Sequence, residues 1–396
     1  MKNRSERQID PILYIIVIVL VVFGIMMIFS ASYYDTIYTE DEAGHSDGPF
    51  YYLIRASLLA GGGVILMLIA TFFPYRVYEK VAVAAMIVSI ILLIAVLIPG
   101  IGYTVNGATR WIKIGPITIM PVEIAKVSVV MFVAWYYTKY AKYAKSLVRG
   151  FLAMFILIGI LFLLIYQQPN LSSALIIIIT IIATMYIAGV RLGYILALIP
   201  AGIIGLLFLI MSKGGEHLNR ITGFTDPFSD AQGEFFQTVQ SLIALGSGGL
   251  TGVGIGNSVQ KAFWLPFAQT DFIFAVIGEE VGFIGCILVL IAYLVLIWRC
   301  ALIAITAADR YSMLLAAGIT MLLTLQVVLN IGVVTALLPP TGVILPFISY
   351  GGNATIWFMF LMGVMQNIAR GGAGIDLKRR RKSLRHEGTS NAEVVS

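Results

Sequence analysis

Histidine is nearly absent from this 396-residue chain, with three residues, His45, His217 and His386, far apart in sequence. No H-x-x-x-H or C-x-x-C spacing occurs, so a His or Cys metal site and a Ser-His-Asp hydrolase lack support. Cysteine is as scarce. Cys286 and Cys300 lie on one predicted helix, fourteen residues apart. That is a rise of ~21 Å, too far for a disulfide between them, and cysteine use says nothing about redox compartment. Charged residues make up 12% of the chain against 59% hydrophobic, with mean hydropathy +0.95. A soluble domain carries about 25% charge, so a soluble globule is excluded.

Long apolar runs are present in their place. A helix needs about 20 apolar residues to cross ~30 Å of hydrocarbon. Such runs occupy 11–33, 51–73, 80–99, 120–138, 150–167, 172–189, 194–211, 271–298, 312–335 and 353–369. The expected fold is an all-α polytopic membrane protein of about ten transmembrane helices spanning 11–369. Residues 1–10 and the basic tail 370–396 flank it, the tail expected to be disordered. The first run follows Lys2, Arg4 and Arg7, but it is too long for a signal-peptide core and has no A-x-A-like cleavage site. It reads as a retained helix.

Ten spans put both termini on one side, and 19 of the 26 Lys and Arg fall on that side. The positive-inside rule makes it the cytoplasm. The run KRRRK at 378–382 beside the last span is a topological anchor or an anionic-lipid contact, and a nucleic-acid partner is discounted. On the outside, residues 34–50 read as a solvated acidic face. A loop of nearly sixty residues, 212–270, joins spans seven and eight, and loops of that length are commonly functional or disordered. Its glycine run GSGGLTGVGIGNS (246–258) does not match G-x-G-x-x-G. It reads as mobile backbone or as a place where a lipid-linked ligand approaches closely.

Polar, Pro- and Gly-broken segments gather at the external ends of the spans: 102–123, 167–173, the start of span eight, and 337–353. Irregular backbone at that depth is tolerated where it is protein-buried or lines a wet cavity, which predicts an externally opening site. Asp271 reads either as a functional carboxylate or as the N-cap of span eight. Glu123 and Lys126, three apart in the first turns of span four, form either an ion pair or a catalytic pair. Arg110 and Trp111 read as ligand contacts or interface anchors. Glu279 and Glu280 lie deeper and face away from Asp271, as bundle-internal polar contacts.

At these residues the chain resembles the SEDS family, the shape, elongation, division and sporulation group that includes FtsW, RodA and SpoVE. The resemblance rests on NGATRWI, PVEIAK, QPNLSSA, QTDFIFAVIGEEVGFIG and TGVILPFISYGGN, in family order along nearly the whole membrane domain. It is closer to the FtsW and SpoVE branch than to RodA. It implies a polymerase of peptidoglycan glycan strands, acting in septal wall synthesis on lipid II, the undecaprenyl-diphosphate-linked disaccharide-pentapeptide. The implied partners are a class B penicillin-binding transpeptidase and other divisome membrane proteins. Carried over by motif, Asp271 matches the family's essential aspartate, and Glu123 and Lys126 a functionally important pair. Asn106, Arg110, Trp111, Thr270 and Ser349 fall at motif positions taken as substrate-binding. The chain departs from the usual pattern at Thr109, Met120, Val122, Asn170 and Gln269, and no role is carried to those positions.

The chemistry fits the residues. A sugar 4-hydroxyl attacks an anomeric carbon bearing polyprenyl diphosphate, with Asp271 as general base. Arg110, Lys126 or a divalent cation, Mg or Mn, stabilises the departing diphosphate. A single base with cationic stabilisation suits an inverting displacement. The alternatives are a flippase for the same precursor, an elongation or sporulation role, and a scaffold in which Asp271 has no duty. The sequence shows no internal repeat of the kind transporters carry.

Overall fold

The computed structural model describes residues 9–38, 48, 50–105, 107–115, 117–198, 227–233 and 235–371. Apolar runs without internal proline fold as helices, since in hydrocarbon every backbone group must be paired within its own segment. α1 (Pro11–Tyr38), α2 (Tyr51–Phe72), α3 (Tyr75–Ala95), α4 (Pro121–Lys139), α5 (Ala153–Tyr166) and α6 (Leu171–Ile187) form the first part. The short α7 (Leu192–Leu196) follows. Next come α8 (Phe236–Ser247) and α9 (Gln260–Phe263), then α10 (Ile273–Ile305), α11 (Arg310–Val334) and α12 (Asn353–Ala369). Among the described residues, six helices are long and apolar enough to cross a membrane. The protein is a multi-pass, all-α membrane protein. Helices stand where nine of the ten expected spans were placed, while most of the seventh, 194–211, lies outside the described residues. The three histidines and the KRRRK tail also lie outside them.

Two expectations change. The segment before α4 is not plain loop but a three-stranded antiparallel sheet, β1 (Gly102–Val105), β2 (Ala108–Ile114) and β3 (Ile117–Ile119), in that order. Gly102 pairs with Ile112, and Ile112 with Ile119. The Asn-Gly pair at 106–107, between runs rich in Val, Thr, Trp and Ile and with Gly107 in the left-handed region, carried that hairpin signal.

The glycine run is the second change. α10 is broken at Gly282, whose φ of 77° and ψ of −172° are non-helical. In an unbroken helix Phe283 and Ile284 would donate to the carbonyls of Glu279 and Glu280. Here Phe283 N donates to Gly249 O (2.9 Å) and Ile284 N to Leu250 O (3.1 Å). In return Val253 N donates to Glu279 O (2.9 Å) and Gly254 N to Glu280 O (3.0 Å). The segment 249–254 thus replaces the broken bonds one for one. Backbones this close exclude side chains: a Cβ on Gly252 would collide with the Glu280 carbonyl, and one on Gly282 with Gly252 N. At Gly248 and Gly252 this run makes its close approach to α10.

The two glutamates before the break hold the same loop. Glu279 accepts from Val259 N (2.9 Å), Gln260 N and the Ser258 hydroxyl at the start of α9. Glu280 pairs with Lys261, and Ser30 of α1 accepts from Lys261 Nζ (2.8 Å) while donating to Glu280 (2.7 Å). Both charged side chains are almost wholly buried. They are the bundle-internal contacts expected of them.

Candidate functional site

Asp271 stands in the turn 264–272, two residues before α10, and Phe272 occupies the cap position. The N-cap reading of Asp271 is therefore set aside. Its backbone carbonyl accepts from Asn330 Nδ2 of α11 at 2.8 Å. Its carboxylate faces the backbone of Gly342, where an added Cβ would sit 3.3 Å from Oδ2. Burial pushes the carboxyl up to about 6, and the nearby Arg110 guanidinium pulls it partly back. Burial likewise lowers Arg110, with Asp271 opposing that shift.

Arg110 reaches this position because β2 projects it over the turn between α5 and α6. Its Nε donates to Gln168 O at 3.1 Å and its NH2 to Pro169 O. Gln168 is fully buried and donates to Leu93 O of α3 at 3.2 Å. The sheet is held to the last helix by Asn353 Nδ2, which donates to Thr118 O at 2.8 Å. Tyr350 N donates to Gln269 O at 2.9 Å, tying the loop 337–352 to the Asp271 turn. All four segments expected to converge do so.

Glu123 lies in the first turn of α4 after Pro121, where a carboxylate suits the helix dipole. Lys126 Nζ meets its Oε1 at 2.7 Å with both side chains buried. Lys126 also donates to Gln326 Oε1 at 3.4 Å. Thr270 donates its hydroxyl to Phe267 O at 3.1 Å, at the edge of the Asp271 turn. Trp111 is half-buried on β2 opposite Tyr103. Ser349 is 2% exposed and its hydroxyl accepts from Leu345 N at 2.8 Å, shaping the loop from within. Asn106 lies outside the described residues.

Gln326, Asn330 and Gln168 were not marked as site residues from sequence. Among the described residues, the buried oxygens Gln168 Oε1, Asn330 Oδ1 and Thr341 Oγ1 have no hydrogen-bond partner. Each belongs to a residue bonded to, or adjacent to one facing, Asp271 or Arg110. Such atoms cost about 1–3 kcal/mol each when unpaired. No group of three His, Cys, Asp or Glu side chains gathers among the described residues. Asp271 stands alone as a free carboxylate near Arg110, while Glu123 is engaged by Lys126.

Residues 11–372 match the model of the FtsW, RodA and SpoVE family, described as cell cycle protein. Stage V sporulation protein E of Bacillus subtilis is 38% identical over 361 residues, 91% of this chain and 97% of that protein. The probable peptidoglycan glycosyltransferase FtsW of Coxiella burnetii is 39% identical over 371 residues, 93% and 98% of the two chains. Among solved structures, a chain of a peptidoglycan synthase complex described as coordinating polymerization and crosslinking superposes with a TM-score of 0.73. It is 26% identical, with 92% of this chain and 98% of that one covered. The crystal structure of the rod shape determining protein RodA of Thermus thermophilus gives 0.62 at 25% identity, with the same coverage.

Proposed function

Because the chain belongs to the FtsW, RodA and SpoVE family of cell cycle proteins, we propose that it builds peptidoglycan glycan strands at the Asp271 site. It is a peptidoglycan glycosyltransferase of septal wall synthesis. The observation that carries the site assignment is a carboxylate raised to about 6 beside a cation, at the meeting of four broken segments. A general base works best with a pKa near the working pH.

The substrate is lipid II. The acceptor sugar's 4-hydroxyl attacks the donor's anomeric carbon; an oxygen–carbon bond forms as the carbon–oxygen bond to the polyprenyl diphosphate breaks with inversion. Asp271 takes the hydroxyl proton, and the diphosphate leaves with the electron pair. Arg110 spends two donors on Gln168 and Pro169 and keeps N–H groups to meet the diphosphate charge. The buried Glu123–Lys126 pair joins the site through Gln326, which accepts from Lys126 and donates to Ile344 O of the loop facing Asp271. Thr270 and Trp111 stand at its rim.

The excess of basic residues beside the other ends of the helices supports cytoplasmic termini and an extracellular active face in a bacterial membrane. The likeness to a chain of a synthase complex supports a class B penicillin-binding transpeptidase as partner, with other divisome membrane proteins around it.

The break in α10 also suits a flippase, since transporters bind cargo at discontinuous helices. The glycine segment fills that break with its own backbone, so no cargo path is needed to explain it. Purified protein with its transpeptidase partner and lipid II tests the reading. Glycan chains are expected. Precursor crossing vesicles without chain growth contradicts it.

A further inference from the structure

Two buried amides on α11, Gln326 and Asn330, lie four residues apart and so share one helix face. Each is 1% exposed. Asn330 Nδ2 donates twice, to Asp271 O at 2.8 Å and to Val343 O at 2.6 Å. Gln326 Nε2 donates to Ile344 O at 3.3 Å, and its Oε1 accepts from Lys126 Nζ at 3.4 Å. The partners fix which amide atom points where: nitrogen toward carbonyls, oxygen toward the ammonium.

The two side chains therefore connect three separate pieces of the site. One is the turn that carries Asp271, another is the loop whose Gly342 backbone faces that carboxylate, and the third is the Glu123–Lys126 pair of α4. Neighbouring bonds run through adjacent carbonyls, Val343 and Ile344, so a shift at either amide is felt at the other. Neither residue is charged: Gln326 uses both its donor and its acceptor, and Asn330 uses two N–H donations that Asp or an apolar residue cannot reproduce.

Resting on the polymerase reading, we infer that Gln326 and Asn330 are positioning residues, setting the Asp271 carboxylate against the Glu123–Lys126 pair. They act through backbone and through Lys126. Misplacing a reacting group by about 1 Å costs on the order of 100-fold in rate.

The test compares wild type with Asn330→Leu, Gln326→Met and the double variant, which keep side-chain volume. Glycan polymerisation from lipid II is measured with the transpeptidase partner present, alongside thermal melts in detergent. The expected result is kcat lowered about 10- to 100-fold with KM within about threefold of wild type. The double variant loses less than the product of the two single losses, since both act on one element. Wild-type kcat in folded variants overturns the inference. So does a rate loss that merely follows the fall in melting temperature and disappears on cooling. Hydrogen exchange read on the same proteins is independent of activity. Faster exchange confined to residues 269–273 and 342–346 supports the tie, and an unchanged pattern overturns it. Failure of the polymerase reading shows separately, as wild type making no glycan or Asp271→Asn making as much as wild type.

Discussion

The Val253 amide donates to the Glu279 carbonyl at 2.9 Å, the bond that Phe283 supplies in an uninterrupted helix. A loop segment thus completes a membrane helix from outside it. The exchange needs bare backbone at the contact. Gly252→Ala and Gly282→Ala are expected to abolish or strongly reduce folded protein, because the added carbon meets backbone that has nowhere to go. Gly256→Ala is the control: its φ of +90° makes alanine strained, but nothing lies within 4 Å of the new carbon. A cost of about 1–3 kcal/mol is expected there. Detergent thermal melts and yield of monodisperse protein distinguish the three.

Lys261 and Glu280 anchor that loop to α10 and α1 inside the bundle. Lys261→Met leaves Glu280 as a buried charge and is expected to cost about 3–5 kcal/mol. Replacing both, as Lys261→Met with Glu280→Leu, is expected to recover most of the loss. Equal destabilisation of single and double variants in thermal melts contradicts this account of the pair.

The acid limb of the activity profile is expected to follow Asp271. A base at about 6 is protonated below that value, so the rate rises with pH through about 6 and then levels. Arg110 lowers the Asp271 pKa; Arg110→Ala therefore moves the limb to higher pH as well as reducing the plateau, whereas Arg110→Lys keeps the charge and moves it less. A pH–kcat series on the three proteins checks the direction.

Stability follows the opposite course. The carboxyl of Asp271 binds its proton more tightly in the folded chain than in the unfolded one, so ionising it costs stability as pH rises from about 4 through about 6. Asp271→Asn does not titrate. It is expected to melt higher than wild type at pH 7.5, by about 1–2 kcal/mol after solvent screening, with the gap closing toward pH 4. Melts at the two pH values measure it.

The helical frame was legible because length and hydropathy decide it. Asp271, Glu123, Lys126 and Arg110 stood out because charge is scarce in such a chain. The sheet at 102–119 was hidden inside a segment judged by its polarity, although its Asn-Gly turn pair was there to read. For 246–258 a close backbone approach was legible, but not its partner. A glycine run states only that side chains are excluded, and the excluding surface lies about thirty residues on, at a break that no proline announces. Gln326 and Asn330 were missed for a related reason. In the apolar run of α11 single amides look like tolerated polar residues, and their partners are backbone carbonyls, which sequence does not distinguish.

The most direct measurement is glycan chain formation from purified lipid II by wild type and by Asp271→Asn, each with the transpeptidase partner and each shown to be folded. Polymer from wild type and a loss of at least about 100-fold in the variant is the predicted result, the contribution expected of a general base. Equal polymer from both contradicts the assignment of Asp271 as the base on which the mechanism rests.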